Sequence, residues 1–90
     1  MKKYVIEREI PKIGMLEGKQ LREAANKSNQ VLAQLAPKIQ WQQSFITADK
    51  MFCVYLAENE KVIRQHAQLS GFCASKITEI SKVIDPAAAA

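Results

Sequence analysis

The chain has one histidine, two cysteines, three glycines and one tryptophan in 90 residues, and each scarcity excludes something. His66 with Cys53 and Cys73 cannot complete a structural zinc site within one chain. Glycines only at positions 14, 18 and 71 leave no phosphate cradle, and no serine sits in a glycine-flanked elbow. No apolar run approaches the roughly 18 residues of a membrane-crossing helix. The opening Tyr4-Val5-Ile6 is cut short by Glu7-Arg8-Glu9, so no export signal is read. A cytoplasmic location is therefore expected, with both cysteines as thiols in a reducing compartment.

What is present is an ordinary globular composition, 48% hydrophobic and 24% charged. It predicts one domain over residues 1–86, followed by an alanine tail at 87–90. The formal charge of +4 comes from cations scattered between Lys2 and Lys82 and interleaved with acids. A solvated surface is expected, with neither nucleic acid nor membrane as partner.

Residues 3–10 are β-branched and aromatic, then alternate, and predict a strand ended by Pro11. Leu21, Ala24, Ala25, Ser28, Val31, Leu32 and Leu35 then share one helical face. Glu17 suits that helix's N-terminus, and Pro37 stops it by forcing Ala36 out of the helical region. Residues 39–46 and 51–57 read as two strands joined through Thr47-Ala48-Asp49-Lys50. Asn59 is placed to cap a second helix, and Gly71 to close it. Residues 76–84 read as a last strand, with a short helix as the alternative, and Asp85-Pro86 ends it.

Strand, helix, strand, strand, helix, strand predicts an α+β, ferredoxin-like βαββαβ sandwich: a four-stranded antiparallel sheet with two helices on one face. In the central hairpin, Phe45 is expected opposite Phe52, Gln43 opposite Val54, and Trp41 opposite Leu56. This more apolar set should lie under the helices. The other face then pairs Ile46 with Met51, Ser44 with Cys53, and Gln42 with Tyr55. With Val5, that face is too apolar for water, so a homodimer through it is expected. The same arrangement puts Tyr55 and His66 on opposite sides of the sheet.

Several stretches resemble a known family. They are residues 3–8, Ile39-Gln40-Trp41 with Ser44, Cys53-Val54-Tyr55, residues 63–67 around His66, Gly71-Phe72, and Val83-Ile84-Asp85-Pro86. In this order they are similar to domain-of-unknown-function family 4242, small ferredoxin-like proteins that include nickel-binding members. The chain departs from the family's pattern at Cys73, where proline is usual. The resemblance implies a small dimeric binding protein of unassigned role, with nickel or another divalent metal as cofactor.

His66 shares a helix face with Val62 and Ile63 and should point toward the sheet or its margin. It reads either as a core-edge histidine satisfied by a backbone carbonyl, or as a metal ligand or acid/base group in a pocket. A metal there would need Glu7, water or a second subunit to complete its shell. Trp41 and Tyr4 read first as core and second as ligand contacts, and Tyr55 as a polar contact on the dimer face. The alternative function is a small cofactor-free α+β barrel enzyme with His66 as general acid/base.

Overall fold

In the computed structural model, which describes residues 1–89, the first strand, β1, spans Lys2–Glu9. A 3₁₀ turn at Ile13–Met15 leads into helix α1, Gly18–Leu35. Strands β2 (Ile39–Ile46) and β3 (Lys50–Ala57) form the hairpin; helix α2 (Glu60–Ser70) and strand β4 (Lys76–Ile80) complete the domain. The sheet order is β2-β3-β1-β4, with every neighbouring pair antiparallel. This is the expected ferredoxin-like arrangement.

Local chemistry sets the helix ends. Glu17 and Gln20 form a reciprocal capping box, the Glu17 amide donating to Gln20 Oε1 at 2.9 Å. Asn59 Oδ1 accepts from the Val62 amide at 3.0 Å and starts α2. Gly71, at φ 78°, closes α2 in the left-handed region, its amide donating to the Ala67 carbonyl.

The last strand is shorter than expected, ending at Ile80 and not at residue 84. Its register with β1 runs from Lys76–Glu7 to Ile80–Lys3, where β1 nears its own start. Val83 and Ile84 are therefore exposed. Pro86–Ala89 forms a 3₁₀ turn, with Asp85 Oδ1 accepting from the Ala87 amide; Ala90 lies outside the described residues.

The hairpin needs a second correction. A bulge between Trp41 and Gln43 makes Gln42 the extra residue. Phe45–Phe52, Gln43–Val54, Ser44–Cys53 and Ile46–Met51 pair as expected, but Trp41 pairs with Tyr55 and Gln40 with Leu56. The two faces are also exchanged. Tyr4, Ile6 and Arg8 of β1 are buried, and their partners across the ladder are Tyr55, Cys53 and Met51. Side chains alternate along a strand, so Cys53 and Tyr55 lie under the helices, while Phe52, Val54 and Leu56 lie with Val5 on the open face. The core joins Tyr4, Ile6, Tyr55, Val31, Leu35 and Ile63 between sheet and helices.

Candidate functional site

The two halves of α1 meet the sheet differently. Toward its C-terminus, Val31 and Leu35 are buried in the core, with Leu32 packed against them. Toward its N-terminus the same face carries Ala24, Ala25 and Ser28, whose short side chains cannot fill the space to the sheet. A cavity of about 280 Å³ results, roofed by α1 and floored by β1, β2 and β3. Most of its wall is apolar, including Ile10, Ile13, Leu21, Met51 and Phe72. Arg8, Ser28, Ser44, Cys53 and Tyr55 bring polar atoms to it. A largely apolar wall with a few convergent polar groups is the usual chemistry of a small-ligand pocket.

The turn at Ile13–Met15 supports one end of this cavity. The Gly14 amide donates to the Ala48 carbonyl at 3.0 Å. A Cβ at Gly14 would stand 2.7 Å from the Thr47 carbonyl oxygen, so only glycine allows so close an approach.

The cavity's most unusual constituent is Arg8, only 1% exposed. Its Nη1 donates to the Cys73 carbonyl at 2.6 Å. Its guanidinium lies 5.8 Å from the centre of the Phe72 ring. Nη2 has no hydrogen-bond partner, and Arg8 makes no ion pair among the described residues. A buried cation without a counter-ion is costly, because burial strips its hydration. Tyr55 beside it stays a neutral phenol: burial, then the neighbouring Cys53, raise its pKa, against smaller opposing effects of Arg8 and Ser28.

His66 is fully buried behind this wall and does not line the cavity. Its Nε2 is 3.2 Å from Ser28 Oγ, and its ring centroid is 5.4 Å from that of Tyr55. The two rings therefore share one side of the sheet, contrary to the sequence expectation; the exchanged strand faces account for the difference. Only Nε2 has a partner, the Ser28 hydroxyl where one of the two readings placed a backbone carbonyl, and Nδ1 has none. Burial first, and the Arg8 charge second, lower its pKa to about 4, against a weaker pull from the Ser28 backbone.

The remaining candidates separate. Trp41 lines the cavity, its Nε1–H donating to Ser44 Oγ at 2.9 Å. Tyr4 is core. Glu7 lies on the open face, where Lys50 Nζ at 2.9 Å, chiefly by hydrogen bonding, lowers its carboxyl pKa. Glu7 and His66 thus occupy opposite faces and are not brought together. Among the described residues, no three His, Cys, Asp or Glu side chains converge on a common point. The Arg8 charge acts on the imidazole and disfavours a second cation there, so these residues do not fit a divalent metal within one chain. Sequence reasoning missed Arg8 and Ser28. Arg8 carried a usable signal, since it continues the alternation of Tyr4 and Ile6.

A family model described as "Nickel responsive protein SCO4226-like" matches residues 4–80. The chain belongs to that family. SCO4226 from Streptomyces coelicolor A3(2), known from its crystal structure, is similar in fold, with a TM-score of 0.77 at 12% sequence identity. The similarity covers 91% of this chain and 99% of that one. No curated protein matches significantly in sequence. The SCO4226-like family thus accounts for most of the chain; its description shares the nickel association expected from the sequence but not the name of family 4242. No helix among the described residues is long and apolar enough to cross a membrane.

Proposed function

We propose that this member of the nickel-responsive family is a small-ligand-binding protein whose site is the cavity beneath α1. The observation that carries this reading is the apolar cavity of about 280 Å³ that converges on Arg8, Ser28 and Tyr55. A neutral fluorescent probe, N-phenyl-1-naphthylamine, tests it. Saturable fluorescence enhancement is expected in the wild type, and its loss in Ala25→Trp, which fills the cavity from α1. No saturable binding, or equal binding by the variant, contradicts the reading.

A second reading, nickel held at His66, is favoured by the unpartnered Nδ1. It requires ligands that the fold does not bring there, because Glu7 lies across the sheet and His66 is fully buried, away from a second chain on the open face. The general acid/base reading of His66 gains no support, since its imidazole does not reach the cavity wall.

The protein is further proposed to pair as a homodimer through the open sheet face, in a reducing, cytoplasmic setting. Four strands at about 4.8 Å spacing and about 3.3 Å per residue make a face of roughly 500 Å², or about 1,000 Å² for two copies. That is near the lower bound for a specific interface. Phe45, 54% exposed, with Val5, Phe52, Val54 and Leu56 supplies its apolar centre.

A further inference from the structure

We infer that the cavity's ligand is a small amphipathic acid, a single carboxylate on an aromatic or short aliphatic body, with the carboxylate held by Arg8. The inference rests on the ligand-binding reading above and deepens it. Three observations carry it. Arg8 is 1% exposed and is among the residues that line the cavity, its Nη2 is buried without a hydrogen-bond partner, and it has no acidic partner among the described residues. The polar side chains beside it, Ser28 and Tyr55, are hydroxyl donors, and no carboxylate lines the cavity to repel an anion. Most of the rest of the wall, with Leu21, Ile13, Met51 and Phe72, is apolar and suits an apolar body.

The charge count selects the head group. One uncompensated guanidinium neutralises one negative charge, whereas a phosphate monoester would bring a second into an apolar site and leave it unpaired. Arginine also suits a carboxylate because its planar donors match the two oxygens. The volume, near the small end of ligand pockets, limits the body to one or two rings or an equivalent chain.

Isothermal titration with three naphthalenes of like shape tests this: 2-naphthoate, its neutral amide, and 2-naphthyl phosphate. The wild type is expected to bind the carboxylate about tenfold or more tighter than the amide, and the phosphate weakly. Arg8→Gln should abolish the preference while still binding the amide. Tyr55→Phe, which keeps the ring, should reduce the preference and serves if Arg8→Gln fails to fold. Equal wild-type affinity for carboxylate and amide overturns the inference and leaves the ligand-binding reading standing. Tighter binding of the phosphate overturns the choice of head group. Absence of binding by all three, and by the neutral probe, overturns both readings together.

Discussion

His66 is held neutral by its surroundings, and this makes a pH prediction at the scale of one residue. Its folded pKa is about 4 against an ordinary value of 6.5. Between those values the unfolded chain binds more protons than the folded one, so stability rises with pH there and is lost as pH falls from 6.5 toward 4. The loss is of the order of 3 kcal/mol. Urea unfolding at pH 7 and pH 4.5 should show it in the wild type, and His66→Asn should flatten it; equal slopes in both proteins contradict the assignment. The same pair addresses nickel. Addition of nickel should leave both melting temperatures unchanged, whereas a rise in the wild type that His66→Asn removes favours the metal reading. At this scale the sequence singled out His66 correctly as inward-facing, from its place beside Val62 and Ile63. It did not reveal Arg8, because charge in a strand ordinarily marks the solvent side, and only the phase of Tyr4 and Ile6 contradicts that here.

At the scale of elements, the helices and their ends were legible because each depends on neighbouring residues: Gln20 with Glu17, Asn59 with Val62, Gly71 with Ala67. Strand faces were less so. The alternating sets Phe45/Phe52/Val54 and Met51/Cys53/Tyr55 are both apolar, so periodicity alone could not say which one the helices cover. The bulge at Gln42, which has no local signal in glycine or proline, leaves Trp41 under the helices as expected but opposite Tyr55, while Phe45 and Gln43 turn to the open face. β1 decides the matter through its long-range register with β3. The turn holding one end of the cavity gives an element-scale prediction. Gly14→Ala should destabilise the fold by about 1–3 kcal/mol by overpacking against the Thr47 and Ala48 backbone. It should also weaken probe binding, through displacement of Ile13 and Leu16. Thermal unfolding with probe titration checks both; unchanged stability would show that the turn gives way freely.

At the scale of the molecule, the single histidine and the lack of a ligand cluster among the described residues weigh against a metal centre within one chain, and the family relationship leaves the ligand open. The element order was enough to give the ferredoxin-like fold, because short connections and antiparallel pairing leave few alternatives. The cavity was not legible, since it arises from what Ala24, Ala25 and Ser28 fail to fill. The proposed dimer predicts twice the chain mass by light scattering, reduced to one chain by Phe52→Glu, which puts charge at the centre of the open face. A wild-type monomer at micromolar concentration contradicts it. The central claim is that the cavity beneath α1 binds a ligand. Amide chemical-shift mapping with 2-naphthoate tests it most directly. Saturable shifts concentrated at Arg8, Ala25, Ser28, Cys53 and Tyr55 are expected. Shifts confined to the open face at Val5, Phe52 and Val54, or no saturable shifts at all, would contradict it.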